Sequence, residues 1–190
     1  MSLQIVKAAA QLEKQDDFHL ARLLLLLNAY DKTSKNSIEG ITKLAKLDFL
    51  LRYPTCLDRV LKSQTKANSI KAAAKAQPIE EKEIRTIESK MIRFRYGPWD
   101  DRYRRWIGLL VAKGLVIAFL DNKTVNLKVT VAGHAVAEQL AVQNEFQQLS
   151  TRSELVVRLV GKMAVTALKN YIYEIVPEIT AMKWGDEISL

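Results

Sequence analysis

The stretch from Met91 to Ala137, MIRFRYGPWDDRYRRWIGLLVAKGLVIAFLDNKTVNLKVTVAGHAVA, constrains the fold more than any other part of this 190-residue chain. Pro98-Trp99-Asp100 leads into a segment with Tyr103, Trp106, Ile107, Leu110 and Val111 at helical spacing, and Gly114 stands where a left-handed C-cap is needed. Two strand-forming runs follow, Leu115 to Leu120 and Thr124 to Val131. Between them Asp121-Asn122-Lys123 tolerates a tight hairpin turn, after which Thr130 can cap another helix. Helix, hairpin and helix, loaded with Arg and Lys, predict docking on DNA or on another protein rather than chemistry.

Upstream, Leu12, Leu20, Leu23, Leu24 and Leu27 mark a first amphipathic helix that stops in the polar run Asp31 to Asn36. Ser37 can cap a second, carrying Ile38, Ile41, Leu44, Ala45, Phe49 and Leu51, with Gly40 and the Leu47-Asp48 junction leaving room for a break. Pro54 ends it by pushing Tyr53 out of helical geometry, and Thr55 with Asp58 three residues later reads as a capping box. The expected fold is therefore mainly α with a small β-hairpin: a winged helix-turn-helix-like domain over residues 1–150, followed over 151–190 by a C-terminal helix and tail. An Ala/Lys-rich insertion near 62–77 is either an exposed helix or a connection, and Pro78 with Glu80 and Glu81 resembles a helix start.

In the C-terminal part, Leu155, Leu159, Val160, Met163, Ala167, Leu168, Tyr171, Ile172 and Ile175 form a broad apolar stripe that predicts one long helix running to Pro177. Its later part, Leu168, Tyr171, Ile172 and Ile175, is expected to meet a partner. The tail from Glu178 to Leu190 offers Trp184 and little else that would fold alone.

A hydrophobic content of 48% lets the chain bury one core with no cofactor required. Cys56 stands alone, so no disulfide forms within the chain and a reducing, cytoplasmic setting is expected. The Leu23 to Leu27 run is far too short to span a bilayer, and the N-terminus lacks the basic-then-apolar order of a signal peptide, so no membrane association is expected.

The net charge is +8. Such a balance favours polyanions, since each phosphate neutralised releases a counterion, but it also serves solubility alone. Ile92-Arg93-Phe94-Arg95-Tyr96 alternates apolar with basic residues, and as a strand would place Ile92, Phe94 and Tyr96 on the core side. With Arg102, Arg104 and Arg105 on the next helix, five arginines form the densest positive patch, joined by Lys123 and Lys128 on the hairpin as candidates for DNA or an acidic partner face. Tyr103 and Trp106 read as core. Trp99, between Pro98 and Asp100, is either a hydrophobic staple or, with Tyr96, an interface anchor.

Catalytic signatures are missing. His19 and His134, the two histidines, lack carboxylate or thiol spacing for a shared metal, Gly161-Lys162 lacks the earlier glycine of a phosphate loop, and Asp16-Asp17 and Asp100-Asp101 read as helix caps. An enzyme is not expected.

KLDFLLRYP at Lys46 to Pro54, MIRFRYGPWDDRY at Met91 to Tyr103 and the GLV, hairpin, T-x-x-G ending at Gly133 together resemble the middle component of bacterial ABC-three-component conflict systems. The resemblance spans residues 20–140 and is strongest to the small winged-helix accessory subunit of Lamassu-type SMC defence complexes. It implies a non-catalytic subunit in antiviral or anti-plasmid defence, seated on an SMC-like ABC ATPase beside an effector nuclease, with the arginine patch against double-stranded DNA or an acidic partner face. The rival is a stand-alone winged-helix transcription regulator, which would dimerise to span two half-sites and read bases directly. Arg102, Arg104 and Arg105 without Asn or Gln fit backbone or protein contact better. A basic nucleic-acid-packaging protein would not need so aromatic a core.

Overall fold

Five consecutive leucines, Leu23 to Leu27, are each at most 2% exposed. No amphipathic surface helix can bury five neighbours in a row, because they point all the way round its axis. The computed structural model, which describes residues 3–34, 36–63 and 90–190 and side chains from Asp16 onward, accordingly makes α1 (Leu3–Ser34) the central post of the fold. It is surrounded by the helices and strands that follow.

After α1 comes not a helix but a two-residue strand, β1 (Ile38–Glu39), and Gly40 at φ +87° turns the chain into α2 (Ile41–Arg52). The expected Ser37 cap is thus replaced by a glycine N-cap, because Ile38 is claimed by strand pairing opposite Leu127. α3 (Pro54–Ser63) begins at the proline itself, with Cys56 and Leu57 donating to the Tyr53 carbonyl. Asp58 pairs instead with Lys62 at 2.5 Å, so the Thr55 capping box does not form. The Ala/Lys-rich run from Gln64 to Gln77 and the helix start at Pro78 lie outside the described residues.

The chain resumes in a small hairpin, β2 (Ile92–Phe94) and β3 (Gly97–Trp99), followed by α4 (Tyr103–Ala112). Next come β4 (Val116–Asp121) and β5 (Thr124–Val129), joined by Asn122 and Lys123 at φ +44° and +70°, as a two-residue primed turn requires. β1, β5 and β4 form one antiparallel sheet in that order. Gly114 takes the left-handed C-cap, and Thr130 caps α5 (Val131–Ala141) by accepting from the Gly133 amide at 2.9 Å, both as expected.

The C-terminal stripe is two helices and not one. α6 (Asn144–Val160) starts before residue 150 and packs along α1, then the chain breaks at 161–164 and α7 (Val165–Ile175) turns onto α2 and α3. The change of direction comes at Ala164, which is extended, while Gly161, still helical, fits where a Cβ would sit 2.5 Å from the Val157 carbonyl oxygen. α8 (Glu178–Ala181) follows.

The tail then returns to the hairpin. Residues 185–188 run beside β2, with Arg93 N donating to Asp186 O at 2.8 Å, Gly185 N to Arg93 O at 2.8 Å and Ile188 N to Met91 O at 2.7 Å. The described part is mainly helical with two small antiparallel sheets, and no described helix is long and apolar enough to cross a membrane.

Candidate binding surfaces on two hairpins

Beneath the first hairpin lies a buried polar network that positions everything above it. Asp48 on α2 is fully buried and accepts from Arg22 Nε at 2.7 Å, Arg22 Nη2 at 3.2 Å and the Tyr103 hydroxyl at 2.6 Å. Arg52 reaches Asp100 at 2.9 Å and lies 3.8 Å from Asp48. Asp100 also takes the Arg102 guanidinium and the Arg102 amide. Burial favours the neutral acid at Asp100, yet the Arg102 donors and Arg52 outweigh it and hold the carboxyl down to about 2. Tyr103 is pushed well up by burial and then by the Asp48 charge. α1, α2 and α4 are therefore pinned together by charges that each have an opposite partner, the condition under which buried ions are tolerated.

His19 belongs to this network. Arginine has only donors, so the 2.6 Å approach of Arg22 Nη1 makes His19 Nδ1 an acceptor and the ring neutral. Burial first, and then Arg22, Arg102 and Arg52, lower its pKa to about 4. His134 serves a similar structural end, with Nδ1 2.6 Å from Asn28 Oδ1 and Nε2 2.9 Å from Asp31, tying α5 to α1. Asp16 is not a cap. Set well inside α1, it accepts from Trp106 Nε1 at 2.9 Å and Arg105 Nη2 at 2.5 Å.

These contacts disperse the arginine patch. Arg102 and Arg105 are paired within the chain, and Arg93 is a half-buried strut whose Nη1 donates to the Met182 carbonyl. Arg95 is exposed and lies over the Tyr96 ring at 5.3 Å. Arg104 is exposed and, among the described residues, has no carboxylate bonded to it, while Lys123 and Lys128 are exposed on the second hairpin. The expected strand alternation is also corrected: Phe94 and Tyr96 are 44% and 52% exposed, because the chain turns at Arg95-Tyr96 and Gly97 and Pro98 go inward instead.

What the inner face of this hairpin covers is a shallow pocket of about 190 Å³ against α2, walled by Phe94, Tyr96 and Trp99 with Arg104 at its side and Lys46 lining it. Trp99 is half-buried, 5.4 Å from the Tyr103 ring, and its Nε1 donates to Asp101 at 3.0 Å. Lys46 is 1% exposed, and burial, helped by Lys169, pushes its amine down to about 8. A lysine in KLDFLLR reads locally as a surface residue. The signal that it is not lies in the whole of α2, whose positions 43 to 52 are all buried.

The second hairpin presents a different surface. Val111, Ile117, Phe119 and Leu120 are 39%, 52%, 42% and 74% exposed, and Gly108 and Ala112 complete the open side of α4. Thr130 N donates to Leu115 O at 3.1 Å, so the bonded pairs fall at 115, 117, 119 and 121. The amides and carbonyls of Val116, Ala118 and Leu120 therefore point outward along an edge that no described strand pairs with. An apolar, unpaired edge strand is a template for another chain.

Of the C-terminal residues expected at an interface, Leu168 and Ile172 are fully buried in this chain's own core and so are closed to a partner. Tyr171 and Ile175 are half-buried, the Tyr171 hydroxyl lying 2.7 Å from Ser63 Oγ. Compared with family models, curated proteins and solved structures, the chain matches none of them.

Proposed function

We propose that this chain is a non-catalytic accessory subunit that docks on other proteins through a winged-helix-like face. The order helix, strand, helix and, after α3 and the first hairpin, helix and second hairpin, with the single strand lying beside the second strand of that hairpin, supports the winged-helix-like reading. The observation that carries the function is the unpaired outer edge of β4 with its exposed apolar side chains, Ile117 and Phe119 on one face of the strand and Leu120 on the other. In a DNA reader the helix before the hairpin faces the major groove with polar side chains, whereas here its open side beyond Arg105 is Gly108, Val111 and Ala112. Such a face suits a protein, and the outward backbone of β4 suits strand addition.

The resemblance of the KLDFLLRYP and MIRFRYGPWDDRY blocks supplies the partner: an SMC-like ABC ATPase with an effector nuclease, in antiviral or anti-plasmid defence within the cytoplasm. Exposed Arg95, Lys123 and Lys128 then remain for double-stranded DNA drawn through the assembly. The test is affinity purification of the tagged chain from its host, nuclease-treated at moderate salt, with mass spectrometry and sizing. A coiled-coil ATPase recovered with the native chain and lost with Leu120→Lys supports the proposal. Recovery of a homodimer that binds a defined DNA site replaces it with the stand-alone regulator.

A further inference from the structure

Three buried cations in this chain have evident compensation. Arg22 and Arg52 face Asp48 and Asp100, and Lys43 has the Tyr30 hydroxyl at 2.9 Å and the same ring at 5.0 Å. Lys46 differs. Its ammonium carries three donors, and among the described residues its partner is one carbonyl, Thr42 O at 3.0 Å, one turn back on its own helix. No carboxylate among the described residues bonds it, and Lys169 adds a further positive field.

The surroundings of Lys46 are shaped for an occupant. Gly97, held at φ +115°, lies against the Lys46 side chain, where a Cβ would be in ordinary contact with it, 3.5 Å from Cε and 3.9 Å from Nζ. The pocket beside it has apolar and aromatic walls and two cationic groups, Lys46 within and the exposed Arg104 at the side. A buried ammonium lowers stability where no counterion meets it, and among the described residues none does, so a lysine held there is better explained by what it binds than by what it holds up.

We propose that this pocket binds the carboxylate of an acidic peptide segment, the carboxylate bridging Lys46 and Arg104 while an adjoining apolar or aromatic group lies against Phe94, Tyr96 and Trp99. The pocket's small size and aromatic lining favour a monoanion attached to an apolar body over the phosphate chain of a nucleic acid, which tracks open basic grooves. Two sources share this chemistry, a chain-terminal carboxylate and a Glu or Asp side chain. Nothing in the pocket depends on which large protein meets the second hairpin.

The experiment titrates the full chain with N-acetylphenylalanine, N-acetylphenylalaninamide, a peptide amide with an internal Glu beside Phe, and inorganic phosphate. The readouts are tryptophan fluorescence in a Trp184→Phe background, where Trp99 lines the pocket and Trp106 is fully buried, and NMR of 13C-methylated lysines. The expected result is saturable binding of at least one carboxylate probe, the free acid pointing to a chain terminus and the Glu peptide to a side chain. Lys46→Met should weaken that binding at least about tenfold and Arg104→Ala by about threefold, the scale of losing one charged hydrogen-bonding partner. Lys46→Met should also leave the melting temperature unchanged or raise it, and Arg104→Ala, on the surface, keeps the test open if Lys46→Met misfolds. Equal binding of the amide, preference for phosphate, or undiminished binding by either variant would overturn the proposal.

Discussion

The two hairpins are built from the same motif and put to opposite uses. β2 and β3 have three residues each and are anchored: the tail runs along β2, the polar network lies below, and the Tyr53 hydroxyl accepts from Met91 N at 2.8 Å and donates to Ile188 O at 3.0 Å. β4 and β5 have six residues each, and β4 is bare along its outer edge. The shorter hairpin, locked from both sides, forms the wall of a pocket. The longer one keeps unpaired backbone and exposed Ile117, Phe119 and Leu120 in reach of another molecule. Anchorage, more than strand sequence, decides which hairpin makes a cavity and which makes an edge.

The contrast can be broken at its foundation. Asp48→Ala leaves Arg22 without a buried counter-charge, removes the more distant of two carboxylates beside Arg52 and frees the Tyr103 hydroxyl, so a loss of about 3–5 kcal/mol is expected by urea denaturation, with both hairpins affected. Gly133→Ala should come next, at about 3 kcal/mol, because its Cβ would sit 2.0 Å from the Leu115 carbonyl oxygen and 2.7 Å from Val129 Cγ1 at the root of the second hairpin. Hydrogen exchange should then rise first in β4 and β5 and spare β2; uniform exchange would show the hairpins to be one cooperative unit.

Acid probes the floor of the first hairpin. The folded His19 pKa of about 4 lies below its unfolded 6.5, so the unfolded state binds the extra proton in that window. Stability is full above pH 6.5 and falls as pH drops towards 4, by up to about 3 kcal/mol, and His19→Gln should flatten that limb of the urea midpoint against pH. Asp100, depressed from 3.8 to about 2, acts only below this window. Tyr53→Phe should cost about 1–2 kcal/mol and release the tail, seen as faster exchange at Ile188 with β4 unchanged. Smallest of all, Leu120→Lys should change folding stability by less than about 0.5 kcal/mol, since that side chain is 74% exposed, while abolishing partner capture.

What could be read in advance follows the same division. The second hairpin is specified by neighbours in sequence: Gly114 ends α4, Asn122 and Lys123 take positive φ, and Thr130 caps α5. Each is a local rule, and each held. The first hairpin depends on residues far along the chain, so its alternating pattern suggested a strand facing the wrong way. The same distance hid the pairing of the tail and the networks around Asp48 and Asp16, whose hydrogen-bond donors Arg22 and Tyr103, and Arg105 and Trp106, are 26 and 55, and 89 and 90, positions away. Tyr96 and Trp99 stood out as aromatics in a turn sequence, and both line the pocket. Lys46 did not, because a lysine reveals its burial only when the whole helix around it is buried.

The pairing of residues 185–188 with β2 also sets an order of events during synthesis. Met91 to Phe94 leave the ribosome long before their tail partner exists, and at 5–20 residues per second that interval is on the order of 5–20 s. Over that time the outer edge of β2 and the Tyr53 hydroxyl have no partner in the tail. The nascent chain is then open to strand capture at its first hairpin, a hazard that passes only when the last turn of the fold closes over it.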